Sequence, residues 1–297
     1  MLSRRELVTA AAFATAALAD QKRSPASKLK VSVFSKHLLF LRGDALADAA
    51  ANIGFDGIDL AVRKGGHVEP NRVREELPNL VAAIRKRGLE VTMLTTDIVD
   101  ADTPFAEDVL KTMSQLGIHH YRWGGFKYDP ARPIPRQLDD LKPRIARLAA
   151  LNSRYQATAM YHTHSGINLV GAPIWDLYIV LKDFDPNAVA VNYDIGHATV
   201  EGGFGGWIDS YNVIGPHLRG VAVKDFLWAK DVKGEWRPEW TPIGEGMVSF
   251  RQFFGMLAAS RFSGPLQMHF EYALSGAEAT YTAMKRDLVR LRAYFTA

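Results

Sequence analysis

Cysteine is absent from the 297 residues, which excludes disulfides, thiolate nucleophiles and cysteine metal sites. Any metal must then be held by histidine and carboxylate. Blocks of like charge are absent too: the net charge is only +4, with lysines and arginines scattered among acids, so nothing calls for nucleic acid or an anionic membrane. No glycine-rich phosphate cradle is visible, which disfavours a sugar phosphate. There is no low-complexity segment and no internal domain boundary. The longest apolar run, residues 7–19, falls short of the roughly 20 residues an ordinary transmembrane helix needs.

That run belongs to an N-terminal segment with its own logic. Ser3-Arg4-Arg5-Glu6-Leu7 is charged, 7–19 is rich in alanine, and Ala17-Leu18-Ala19 forms a small-x-small site before Asp20. The paired arginines resemble a twin-arginine export signal. Residues 1–19 read as that signal and 20–28, polar and containing Pro25, as a linker. The expectation is an exported, periplasmic protein with no stable membrane association once the signal is cleaved. Residues 29–297, with 47% hydrophobic and 23% charged residues in the chain as a whole, match the length of one α/β barrel of roughly 250 residues.

From residue 29 onward short apolar runs alternate with longer amphipathic ones. Strands are expected at 29–35, 57–60, 89–95, 119–123, 157–166, 189–197, 220–226 and 264–272. Helices are expected at 44–50, 71–87, 104–116, 135–152, 175–182, 207–214, 250–258 and 277–295, several stopped by glycines such as Gly54 and Gly88. Residues 227–249, with three tryptophans, read as a polar loop. Eight strands each followed by a helix predict a parallel sheet closed as a single (β/α)8 TIM barrel.

The stretch Val189-Ala190-Val191-Asn192-Tyr193-Asp194-Ile195-Gly196-His197 carries the first chemical signal. A buried strand that ends in a carboxylate and an imidazole must supply a cation or donors, because burying the charge of Asp194 alone costs several kcal/mol. Alone, it reads as a helix cap with His197 packed against it. Other strands end the same way. His67, Arg122 with Trp123, His162 with His164, Lys224 with Asp225, and His269 with Glu271 follow strands whose carboxyl ends form one rim, where barrels of this kind hold their active sites. Strand residues two apart share a face, so 162 points with 164 and 269 with 271. A capping aspartate, a half-exposed histidine or a snorkelling lysine explains each singly, but not their coincidence.

Gly66-His67-Val68, Tyr161-His162-Thr163-His164-Ser165-Gly166, Asp194-Ile195-Gly196-His197, Val223-Lys224-Asp225, Gly244-Glu245-Gly246 and Phe270-Glu271-Tyr272, in this order, resemble the xylose isomerase-like TIM-barrel superfamily of sugar isomerases, ketose 3-epimerases and inosose dehydratases. The resemblance implies a divalent ion (Mn2+, Mg2+, Co2+ or Zn2+) held by Asp194, Glu271 and His162, with His269 or His164 as a further ligand. The sequence departs at the seventh strand, where Ala222 stands in place of the expected histidine. Three ligands suffice for an open catalytic site. Otherwise the ammonium of Lys224 stands where the ion would sit. Either cation stabilises an enediolate, with Glu271 and His162 as the acid and base. His67, Arg122, His164, His197 and Asp225 would grip hydroxyls, and Trp123 and Trp228 would face a sugar ring. The implied activity is isomerisation or epimerisation of a small-molecule carbohydrate by proton transfer beside a carbonyl, by a protein free to pair with a second copy. The alternatives are a lyase acting on a keto-inositol or 3-keto-glycoside, and a noncatalytic carbohydrate-binding barrel.

Overall fold

The computed structural model describes residues 29–295. The export-signal and linker readings of 1–28 lie outside the described residues. Ten strands follow in order: β1 (Val31–Phe34), β2 (Gly57–Val62), β3 (Glu90–Thr96), β4 (His120–Trp123), β5 (Thr158–His162), β6 (Val189–Asp194), β7 (Leu218–Val223), β8 (Asp225–Lys230), β9 (Trp236–Thr241) and β10 (Leu266–Met268). Eight of them close a barrel in the order β1-β10-β7-β6-β5-β4-β3-β2, every neighbouring pair parallel. The molecule is thus a single (β/α)8 barrel, as the alternation of apolar runs predicts. Parallel strands covered on both faces read as continuous apolar runs, and β1, β2, β5, β6 and β10 are buried at every position.

The helices are α1 (Gly43–Ile53), α2 (Val73–Lys86), α3 (Ala106–Gln115), α4 (Ile134–Arg154), α5 (Trp175–Leu181), α6 (Ile195–Gly202), α7 (Gly206–Ile214), α8 (Phe250–Ala259) and α9 (Ala277–Ala293). Most present one apolar stripe; in α4 the buried residues include Leu138, Leu141, Ile145 and Leu148. They join the strands in one large core, while Met93, Met160 and Ala190 form a small separate cluster. No described helix is long and apolar enough to cross a membrane.

Three elements differ from the sequence reading. Helix α6 starts directly at Ile195, because Asp194 caps it: Oδ1 accepts the His197 backbone N–H at 3.0 Å. The eighth barrel strand stops at Met268, so His269 and Glu271 stand on an irregular segment beyond it. Most importantly, part of the expected polar loop is an antiparallel hairpin, β8 paired with β9 from Asp225↔Thr241 to Lys230↔Trp236. Its signal was present: two runs flank Asp231-Val232-Lys233-Gly234, with Gly234 at φ 79° supplying the left-handed turn position.

The hairpin is tied to the barrel by Asp225. Its carboxylate accepts backbone N–H bonds from Phe226 (2.9 Å), Gly244 (2.9 Å), Gly246 (3.0 Å) and Val248 (3.1 Å). Gly246 allows this closeness, since a Cβ there would overlap Asp225 Oδ1 and the Phe226 carbonyl. Gly246→Ala is therefore expected to cost about 1–3 kcal/mol as an overpacked site. Urea unfolding followed by tryptophan fluorescence measures that cost; a wild-type midpoint would contradict the anchor.

Candidate active site

The site is built from residues that end barrel strands or follow them at once. His162 and Asp194 are the last residues of β5 and β6, Lys224 follows β7, and His269 follows β10, its N–H bonded to the Val223 carbonyl at 2.9 Å. The ladder pairs His162 with Asn192 and Asp194 with Ala222, which brings these ends to one level.

Lys224 is the centre. It is 2% exposed, and its Nζ lies 2.6 Å from His197 Nε2, 3.2 Å from Glu271 Oε2 and 3.3 Å from Asp194 Oδ2. The Trp240 ring covers it at 4.2 Å, a cation–π arrangement. His197 accepts from Lys224 at Nε2, so its proton is on Nδ1, 2.8 Å from Ser165 Oγ. His164 donates from Nδ1 to the His162 carbonyl at 3.1 Å and receives Arg122 Nη2 at Nε2, 3.3 Å away. His162 stacks on His269 with ring centroids 5.2 Å apart, and its Nε2 lies 3.4 Å from Asp194 Oδ2.

Burial decides which groups are charged. It lowers the pKa of His197 to about 4 and of His164 to about 3, the latter aided by Arg122, so both are neutral near pH 7. His162 also falls well below its ordinary value through burial and Arg122. Burial alone would raise Asp194 and Glu271. Against it, Lys224 holds the Asp194 carboxyl well below the usual range, and the neighbouring His269 ring together with Lys224 does the same for Glu271. The site is two carboxylates around an ammonium, ringed by neutral imidazoles.

A divalent ion fits one part of it. Ligand atoms of His162, Asp194 and His269 lie within 4.8 Å of one another. Asp194 Oδ2 and His269 Nδ1 are buried without a hydrogen bond despite charged neighbours. Asn192 completes the case. With its Nδ2 facing His162 Nδ1 at 3.1 Å, its Oδ1 has no partner; turned over, the amide oxygen takes the Nδ1 proton and frees Nε2 as a ligand. Glu271, expected as a direct ligand, is not within that group. Its oxygens face Lys224, Lys36 (3.5 Å) and His269 Nδ1 (3.8 Å). The His162, His164 and His197 rings form a second group of the same kind, but both His197 nitrogens already have partners.

Sequence comparison matches residues 47–289 to the model of the xylose isomerase-like TIM barrel. The chain belongs to that family. No curated protein matches it by sequence. Among solved structures, it is similar to 3-keto-D-glucoside 4-epimerase from E. coli, with 18% identity, 90% of this chain and 100% of that one covered, and a TM-score of 0.65. It also resembles a probable 3-DHS dehydratase involved in petrobactin synthesis from Bacillus anthracis, with 14% identity, 86% and 98% covered, and a TM-score of 0.66. A third is a xylose isomerase-like TIM barrel protein from Mycobacterium smegmatis in complex with magnesium, with 16% identity, 92% and 99% covered, and a TM-score of 0.65.

Within this family member several expected site residues take other roles. The Asp225 oxygens are spent on the loop amides described above. Trp123 is a core residue, 2% exposed and edge-on to Tyr161 at 5.4 Å and Phe126 at 5.7 Å. His67 bonds the Ser35 carbonyl at 3.1 Å through Nε2 and has no hydrogen bond or ring contact with the Lys224 cluster. Trp228 stands on the hairpin, 40% exposed and edge-on to Phe226.

Other groups were missed. Trp240 needed the hairpin to reach Lys224 and His197, whose ring it meets edge-on at 5.0 Å. Lys36 and His37 follow β1 in Ser35-Lys36-His37, a polar run at a strand end like the others. His37 Nε2 accepts the Phe270 N–H at 3.1 Å, fixing the segment that carries Glu271. Asp59, inside β2, is pushed by burial up to about 7 although Thr95 donates to it at 2.8 Å. A depression of about 340 Å³ beside Leu29, Phe55 and Gly88 lies by the starts of β1 and β3, the barrel end remote from the chemistry.

Proposed function

We propose that the chain is a sugar isomerase or epimerase that moves a proton beside a carbonyl. The observation that carries this reading is the position of Lys224 Nζ, 3.2 Å from Glu271 and 3.3 Å from Asp194. An ionised carboxylate and a hydrogen-bonding cation side by side are the pair that enolisation needs. Glu271, with 24% of its side chain exposed, takes the proton from carbon. As a substrate oxygen replaces Glu271 at the lysine, the carboxylate loses the partner that keeps it weakly basic. Lys224 then hydrogen-bonds the developing oxyanion. Protonation of the opposite face by a second donor, water in the open mouth of the site, with Glu271 keeping the abstracted proton until it is lost to solvent, gives the epimer; return of that proton by Glu271 to the neighbouring carbon gives the isomer. His197 keeps Lys224 aimed, and His164 with Arg122 offers donors to hydroxyls.

His162, Asp194 and His269 would hold a divalent ion, which supplies Lewis-acid polarisation of the carbonyl when bound. Elemental analysis of protein purified without chelator tests this: one ion per chain is expected in wild type and none in Asp194→Asn, which keeps the helix cap. A wild type equally empty of metal would leave Lys224 as the cation between the two carboxylates. The lyase reading uses the same groups, with Lys224 protonating a departing hydroxyl. Product analysis separates the two, since elimination releases water or an aglycone. Export to the periplasm and a carbohydrate as the small-molecule partner belong to the same proposal.

A further inference from the structure

We infer that one face of the β8–β9 hairpin is an outer sugar subsite, so that the substrate is a glycoside or oligosaccharide instead of a free monosaccharide. The inference rests on the proton-transfer reading and extends it outward from Lys224. Directly opposed residues of an antiparallel pair share a face. The register Phe226↔Trp240, Trp228↔Pro238 and Lys230↔Trp236 therefore puts three tryptophans, a phenylalanine and a proline on one side. The other side holds Leu227, Ala229, Arg237 and Glu239.

The aromatic face begins in the active site, where the Trp240 ring covers Lys224 Nζ at 4.2 Å and meets His197 at 5.0 Å. It then runs into solvent: Phe226 is 1% exposed, Trp228 40% and Trp236 61%. At ~3.4 Å per residue, positions 236 and 240 stand roughly 14 Å apart along the strand, room for more than one sugar ring. Large aromatics left open in this way mark a binding surface, and continuity with the catalytic ammonium says what it binds. A sugar unit has an apolar C–H face for an indole and hydroxyls for water or for Lys230, whose Nζ lies 5.4 Å from the Trp236 ring. The four amide bonds to Asp225 and the close approach of Gly246 fix the root of the hairpin, so the face is rigid before ligand arrives.

Calorimetric titration of the full chain with D-glucose, maltose and cellobiose tests this. At least one disaccharide is expected to bind about tenfold more tightly than glucose, the 1.4 kcal/mol that apolar burial on one indole provides. Trp228→Ala and Trp236→Ala, at positions exposed enough to spare the fold, should bring that ratio close to one. Equal affinity for glucose and both disaccharides would overturn the subsite and leave the proton-transfer reading standing. Failure to bind any of the three would likewise overturn the subsite, while the proton-transfer reading is decided separately by the Glu271→Gln rates and solvent exchange. A dimer, detected by sedimentation, that Trp236→Ala dissociates without changing the sugar ratios would assign the face to a second copy of the chain and overturn the inference.

Discussion

Glu271→Gln is expected to abolish turnover, lowering kcat by roughly three orders of magnitude, the middle of the range for a general base. The substitution is nearly isosteric and keeps a hydrogen-bonding oxygen toward Lys224, so sugar affinity should stay within about threefold of wild type. The position is a quarter exposed and lies beyond β10, so folding does not depend on it. Three measurements make the expectation sharp: steady-state rates, calorimetric affinity, and exchange of the substrate C–H proton with solvent deuterium. Loss of exchange together with loss of turnover assigns proton abstraction to Glu271. Normal rates would remove it from the chemistry, and normal exchange without product would move its role to the return of the proton.

The neutral histidines shape how such a site works. Four imidazoles crowd around Lys224 and Asp194, yet burial keeps His162, His164 and His197 uncharged. They hydrogen-bond and orient, and they leave the two carboxylates and the ammonium as the charges that respond to substrate. Arg122 adds a buried guanidinium whose positive charge helps hold His162 and His164 in their neutral form. The pocket can therefore accept a developing negative charge on oxygen without expelling a neighbouring proton.

The barrel was legible because the apolar runs are bounded by glycine or a polar turn and most helices carry one stripe. The rim was legible because His162, Asp194, Lys224 and His269 are polar at points where a buried strand has no other use for them. Asp194 shows why either simple reading was incomplete: one oxygen caps α6 and the other faces Lys224 and His162. What a residue touches across the chain was hidden. Asp225 next to Lys224 looked equally chemical, but three of its four partners are amides 19–23 residues on. Trp123 and Trp240 are the same residue type, and only packing makes one a core residue and the other a wall of the site.

Lys224→Met should damage activity and stability together. Methionine keeps much of the stem volume but, in protein stripped of metal with chelator, leaves Asp194, fully buried, without the cation that holds its carboxyl low. Removing one partner of a buried charge pair costs roughly 3–5 kcal/mol, and loss of an oxyanion donor lowers kcat by a further two to three orders of magnitude. The sign of the pH dependence follows. In wild type the depressed Asp194 pKa contributes stability above the unfolded value, and that contribution is lost only as pH falls through the lower folded value. In the variant, burial without the ammonium raises the folded pKa, so the carboxyl takes up a proton as pH falls from neutral toward 4. The stability gap between the two proteins should therefore be widest at pH 7 and narrow with acid. Urea unfolding of both at a series of pH values reads that gap. A gap independent of pH would show that Lys224 acts through packing and not through its charge on Asp194.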